Sequence, residues 1–204
     1  MINLHNIDCM IALKEMQDNK FDLAIVDPPY RNSNENDMMK ETRQNIKKGR
    51  LKDWPNKPKK EYFDELFRVS KNQIIWGVNN FNISEYKGFF VWDKNIAFGM
   101  RFSMCEMAFI SEQLGTTSKF WKFRSSGAEK RIHPTQKPVK LYEKLLMTYA
   151  KEGDKILDTH LGSGSSAIAS HNLGYDFVGY EIDKDYFEAA KKRLEQHQAQ
   201  KTLF

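Results

Sequence analysis

The chain has 204 residues, enough for one domain with a sizeable core, and its 40% apolar, 29% charged and 13% aromatic composition excludes a disordered protein. The two cysteines, Cys9 and Cys105, form no C-x-x-C and exclude both a disulfide scaffold and a Cys-rich zinc module. Lys and Arg outnumber Asp and Glu by 32 to 27, a net charge of +5 with a pI near 9.0, which points weakly to an anionic partner. No apolar run approaches the roughly 20 residues of a membrane span. The opening Met-Ile-Asn-Leu-His-Asn lacks the basic and apolar regions of a signal peptide, so a cytoplasmic protein without membrane contact is expected.

In chain order, residues 2–5 predict a short strand and residues 9–16 a helix, with Asp8 as N-cap. Residues 21–26 form an apolar run suited to a buried strand, stopped by Asp27-Pro28-Pro29. Residues 31–58 are polar and basic and predict a long loop. A helix over 61–69 and a strand over 73–76 follow, then strands over 88–92 and 106–110, read as an antiparallel pair. Residues 112–137 are expected to be irregular. Apolar positions at Val139, Tyr142, Leu145, Leu146 and Tyr149 predict a helix over 139–150. The rest predicts a strand over 155–157 ending at Asp158, a helix over 164–173 closed by Gly174, a strand over 177–180 ending at Glu181, and a helix over 184–198. This alternation predicts an α/β fold: a mostly parallel sheet with an antiparallel hairpin and helices on both faces. No linker divides the chain, so residues 1–204 are expected to form a single domain.

The charge is concentrated. Residues 40–60 carry +7 and residues 119–140 carry +6, so the remainder is net acidic. Solvated loops account for any one charge run, but two of them on an acidic body fit a phosphate backbone better. Trp54, Phe120, Trp121 and Phe123 lie among them, as stacking platforms or as ordinary core residues.

The stretch from Asp158 to Ala167 joins a strand to a helix through Gly162 and Gly164, whose freedom lets the backbone turn tightly and approach a ligand at a helix N-terminus. Glu181 ends the next strand, 19 residues after Gly162, where a carboxylate can accept hydrogen bonds from ribose hydroxyls. Alone, the pattern also fits a dinucleotide fingerprint or a structural turn. Two features turn the reading from a nicotinamide cofactor. Only 23 residues follow Glu181, so the rest of the sheet lies upstream and the order is permuted. Asp158 would repel a pyrophosphate but suits an ammonium group.

Asp27-Pro28-Pro29-Tyr30 follows a buried strand, at the carboxyl end where open α/β sheets bind ligands. An exocyclic amine is a poor nucleophile because its lone pair is delocalised into the ring. A carboxylate and a carbonyl that accept its two N–H groups free that lone pair, and Tyr30 can stack on the base. A Pro-Pro turn capped by Asp is the plain alternative.

These motifs together resemble the β-class amino-methyltransferases of DNA, S-adenosylmethionine-dependent enzymes that modify adenine N6 or cytosine N4. The resemblance runs from Asn6-Ile7-Asp8-Cys9 through Asp27-Pro28-Pro29-Tyr30 and His133-Pro134-Thr135-Gln136-Lys137-Pro138 to the Asp158–Ser166 turn and Gly179-Tyr180-Glu181. It implies the Rossmann-like sheet of class I methyltransferases in circularly permuted order. It implies catalytic roles for Asp27, Pro28, Pro29 and Tyr30. It places Asp158, His160, Gly162, Ser163, Gly164 and Ser165 around the methionine part of S-adenosylmethionine, Glu181 and Ile182 at its ribose, and Asp8 with Cys9 at its adenine. Asp27 also borders the cofactor, and Thr135, Gln136 and Lys137 close over the methionine carboxylate, with Lys137 supplying positive charge.

Departures occur at Thr159-His160, where the family usually has Pro-Phe after the Asp, and at Ser165-Ser166, where it usually has Thr-Thr. His133, His160 and His171 do not pair at metal-ligand spacing, so no metal is expected. Neither Cys9 nor Cys105 follows a proline, which disfavours cytosine C5 chemistry. Asp at the first catalytic position favours adenine N6 over cytosine N4, on a base flipped out of the duplex. DNA is the expected partner, contacted by residues 31–60 and 112–132. So small a recognition surface suggests a short target or a homodimer. RNA as substrate, or a binding module without turnover, remain the rival readings.

Overall fold

The computed structural model describes residues 1–29, 57–83, 87–97, 103–124 and 131–200. Its strands are β1 (Ile2–His5), β2 (Phe21–Val26), β3 (Ser70–Trp76), β4 (Gly88–Asp93), β5 (Cys105–Ile110), β6 (Lys119–Lys122), β7 (Lys155–Asp158) and β8 (Asp176–Tyr180). Its helices are α1 (Cys9–Lys14), α2 (Lys60–Val69), α3 (Val139–Tyr149), α4 (Ser165–Asn172) and α5 (Lys184–Ala199).

The strands form one sheet in the order β1-β8-β7-β2-β3-β5-β4-β6. The pairs β1/β8, β8/β7, β7/β2 and β2/β3 are parallel, β3/β5 and β5/β4 antiparallel, and β6 is parallel to β4. The winding reverses between β7 and β2: the described chain continues from β2 to β3 on one side and from β7 to β8 on the other. Such a switch point opens a crevice beyond the carboxyl ends of the strands.

The core has two layers because β2 is apolar on both faces. Leu23 and Ile25 pack with Leu141, Leu145 and Leu146 of α3 and Ala167 of α4, whereas Ala24 and Val26 pack with Leu13 of α1 and Leu66 and Val69 of α2. Successive strand residues point to opposite faces, so an unbroken apolar run marks a strand covered on both sides. The predicted α/β sheet, its antiparallel hairpin and the helices on both faces are therefore present. Asp8 caps α1 as expected, its carboxylate accepting the Met10 N–H at 2.9 Å.

The expected irregularity of residues 112–137 is corrected: β6 lies within it, joined to β4 with Phe90 opposite Lys119 and Asp93 opposite Lys122. Lys-Phe-Trp-Lys carries no apolar alternation, and Lys119, Phe120 and Lys122 are exposed, so only pairing with a distant strand defines it. Trp121 and Phe123 stack with centroids 5.0 Å apart and pack against the core, as ordinary core residues do, while Phe120 is 66% exposed. Trp54 and most of residues 31–60 lie outside the described residues.

Leu145 sits fully buried where α3 meets the central strands. Leu145→Ala is expected to destabilise the protein by about 2–5 kcal/mol, measured as a lowered urea midpoint at unchanged slope.

Candidate functional site

Four neighbouring parallel strands end on the same edge, and each is followed or closed by an acid: Asp8 after β1, Glu181 after β8, Asp158 at the end of β7 and Asp27 after β2. Sequence places these residues up to 173 positions apart; the sheet order brings their strands side by side.

The turn after β7 builds the centre. Gly162 and Gly164 have φ of +51° and +74°, left-handed values that disfavour any side chain. The Leu161 N–H donates to the Tyr180 carbonyl at 2.8 Å, tying the turn to β8. Glu181 fixes it from the other side: Oε2 accepts the Gly162 N–H and Oε1 the Asp183 N–H, both at 2.9 Å. Arg193 of α5 donates to the Ser163 carbonyl and the Ser165 hydroxyl, each at 2.9 Å. Ser163 and Ser165 are buried and their hydroxyls lie 3.1 Å apart, so these side chains hold the turn itself.

Asp158 is buried, with Oδ1 accepting the His160 N–H at 2.9 Å and Oδ2 the Ser166 hydroxyl at 2.6 Å. Burial pushes its carboxyl up to about 7, against those two hydrogen bonds. Burial also raises Glu181, partly offset by the Asp183 and Gly162 N–H groups. His160 accommodates its departure from an aromatic: burial lowers it to about 4, so it is neutral, and its ring packs edge-on against Tyr62 at 5.3 Å. Tyr62 hydroxyl, Thr159 Oγ1 and His160 Nδ1 are linked in series at 2.6 and 2.9 Å.

Two cavities share this edge. One of about 430 Å³ is lined by Asp27, Pro28, Pro29, Thr135, Gln136, Lys137, His160, Gly162 and Ser163. The other, of about 250 Å³, is lined by Asp8, Cys9, Tyr62 and Thr159. Pro29, His160, Glu181 and Ile182 line both, so Glu181 stands at the junction. Asp158, Gly164 and Ser165 lie behind the turn rather than on the cavity wall. Tyr30 lies outside the described residues. Among the described residues, no group of three or more His, Cys, Asp and Glu could hold a metal ion.

Lys137 lines the larger cavity beside Thr135 and Gln136, and its ammonium is paired with Asp27 Oδ2, with Glu106 Oε2 of β5 at 3.0 Å. Lys94 pairs with the other Glu106 oxygen at 2.6 Å. Burial raises Asp27, opposed by Lys137 and reinforced by Glu106. Burial alone would raise Glu106 too, but Lys137 and Lys94 outweigh it and hold it below the usual carboxylate range. Asp27 Oδ1 is buried and has no hydrogen-bond partner among the described residues.

Sequence reasoning missed Glu106, Tyr62 and Arg193. An acid opening the otherwise apolar run Glu106–Ile110 was a signal for the first; the other two carry none, because their partners lie 97 and 28–30 residues away.

Comparison with known proteins bears on the same region. A family model described as DNA methylase, of the N6/N4 methyltransferase type, matches residues 21–192. The chain is 46% identical over 63 residues to the type II methyltransferase M2.DpnII of Streptococcus pneumoniae, a stretch covering 31% of this chain and 24% of that protein. The aligned stretch thus spans about a quarter of that curated relative's length. The fold is shared with the crystal structure of the M1.HpyAVI–SAM complex, at a TM-score of 0.62, 23% identity and coverage of 95% of this chain and 100% of that one. It is also shared with the cytosine-N4-specific PvuII DNA methyltransferase, at a TM-score of 0.66, 11% identity and coverage of 97% and 90%. With its family match running from β2 through the glycine turn into the last helix, the chain belongs to the N6/N4 DNA methylase family.

Proposed function

We propose that the chain transfers a methyl group from S-adenosylmethionine to the exocyclic N6 amine of an adenine flipped out of DNA. The observation that carries this reading is Asp27 Oδ1, a buried carboxylate oxygen with no hydrogen-bond partner among the described residues, on an acid that lines the larger cavity. An unsatisfied buried acceptor is costly unless a ligand donor completes it. An amine N–H is such a donor.

The cavities fit the cofactor. A carboxylate has about four lone-pair directions, and backbone N–H groups occupy two on Glu181, which leaves two for a ribose diol at the junction. The smaller cavity, between Cys9 and Tyr62, suits an adenine ring, and the larger one, beside Gly162, Thr135 and Gln136, suits the methionine part. Asp158 stands behind the turn as the counter-charge for an ammonium group. S-adenosylmethionine, when bound, supplies a methyl group on a sulfonium, an electrophile that needs only an available lone pair.

The chain's own residues make that lone pair available. Asp27 Oδ1 accepts one amine N–H and the Pro28 carbonyl accepts the other, and Tyr30 stacks on the base. As the nitrogen gains positive charge, the fixed carboxylate stabilises it without reorganising. The same carboxylate is then placed to receive the surplus proton. Asp rather than Ser at this position supports adenine over cytosine. The basic residues 31–60, with Lys119, Lys122 and Arg124 exposed at the β6 edge, support DNA as the polymer.

Nucleoside mass analysis of genomic DNA, from a bacterial host lacking its own adenine methylation, tests the reaction. N6-methyladenine is expected with the wild type, falling at least about 100-fold with Asp27→Ala. N4-methylcytosine instead would keep the amine clamp and overturn the base; neither product from soluble protein would overturn the reading. Replacing Lys47, Lys48 and Arg50 together with Ala is expected to weaken DNA binding and to flatten its log–log salt dependence by about one per cation; an unchanged slope would remove these residues from the interface.

Asp158→Asn separates binding from stability. A carboxyl held at about 7 when folded, against roughly 3.9 unfolded, contributes stability below pH 4 that is lost as pH rises through 7. The variant is therefore expected to be more stable than wild type at pH 8, on the order of 4 kcal/mol, with no such difference below pH 4. It is also expected to bind S-adenosylmethionine at least tenfold more weakly by calorimetry.

A further inference from the structure

The row Lys94–Glu106–Lys137–Asp27 alternates in charge and joins residues just after β4, on β5, before α3 and after β2. The Lys137 side chain is 3% exposed, and Glu106 and Asp27 are each 17% exposed. Withdrawing such charges from water costs several kcal/mol each, and apolar replacements often stabilise a protein as well or better. Stability alone is a poor reason for this arrangement.

Geometry offers another. One ammonium serves two carboxylates, so Asp27 holds Lys137 only in part. Lys137 occupies Oδ2 and leaves Oδ1 without a partner among the described residues. The Lys137 ammonium also lies 5.2 Å over the Trp76 ring, which fixes it from the β3 side. Among the described residues, the other charged and titratable groups that act on Asp27 or feel its charge include Lys94, Asp158 of β7, Tyr62 of α2 and Tyr142 of α3. Of these, Lys94 is the one bonded directly to Glu106.

The geometry points to Glu106 as a positioning residue for methyl transfer: by sharing Lys137 with Asp27, it keeps the Asp27 carboxylate anchored at one oxygen yet strong as an acceptor at the other. This rests on the amine-clamp reading above. Glu106 does not touch the target amine and acts through Lys137. If Glu106 loses its charge, Lys137 is drawn more strongly to Asp27, which then ionises more readily and accepts an amine N–H more weakly. If Lys94 is lost, Glu106 draws Lys137 away and Asp27 becomes harder to ionise. The two changes displace Asp27 in opposite directions, and a purely structural role for the row would not carry that displacement into the methylation rate.

The test uses the full chain with Glu106→Gln and Lys94→Met. Methylation rates across pH are expected to show an acid limb moved to lower pH for E106Q, with kcat down roughly tenfold and KM for S-adenosylmethionine within about threefold of wild type. K94M is expected to move the acid limb to higher pH. Displacement in the same direction, or none in either, would overturn the inference. If E106Q does not fold, K94M alone decides: an upward shift supports the inference and an unmoved limb overturns it. Titration of the Asp27 carboxyl carbon by ¹³C NMR in the free protein gives the same opposite shifts without turnover. Shifts without methyl transfer would sink the methyltransferase reading and leave the sharing of Lys137 standing; methyl transfer without shifts would do the reverse.

Discussion

The parallel alignment of β1, β8, β7 and β2 is the constraint on which the site depends. Four acids that follow or close these strands become one row because the strands point the same way and lie side by side. A register slip of one residue in β2 or β7 would turn its side chains to the opposite face and destroy both the core and the site. The two-layered core guards that register: residues on both faces of β2 are packed, Leu23 and Ile25 against one helix layer and Ala24 and Val26 against the other.

A row of acids in a crevice is unfavourable unless each carboxylate is held, and the fold answers each one differently. Asp8 caps α1, Glu181 accepts two backbone N–H groups, and Asp158 takes one N–H and one hydroxyl. Asp27 has the Lys137 ammonium on one oxygen only. This asymmetry separates it from Glu181 and Asp158, each of which is held at both oxygens. Burial raises both Asp27 and Asp158, so each holds its proton more readily than an exposed acid.

The antiparallel end of the sheet contributes to the same edge. Because β5 runs against β3, its start, not its end, lies beside the carboxyl end of β3, which places Glu106 near Trp76 and Lys137. β4 returns alongside it and delivers Lys94 from the residue after its last. β6 then adds exposed lysines at the sheet edge. A hairpin that looks like a mere extension of the sheet thus supplies half of the charge row that ends at Asp27.

Much of this was determined by the sequence alone. Apolar runs of six residues, glycines at a strand–helix turn and acids at strand ends dictate a parallel α/β sheet with its site on one edge, because burial and backbone sterics act locally. The order of the motifs carried the permutation. The acids Asp8, Asp27, Asp158 and Glu181 were legible as strand-end residues for the same reason: each is a short signal that closes or follows an apolar strand. What only the tertiary structure decided is pairing across distance. β6 exists because β4 lies beside it, Arg193 reaches the glycine turn from the last helix, and Lys137 meets both Asp27 and Glu106 because the sheet brings the end of β2 and the start of β5 to the same place. Charge interactions in a buried site depend on separation in space, and spacing along the chain does not encode that separation.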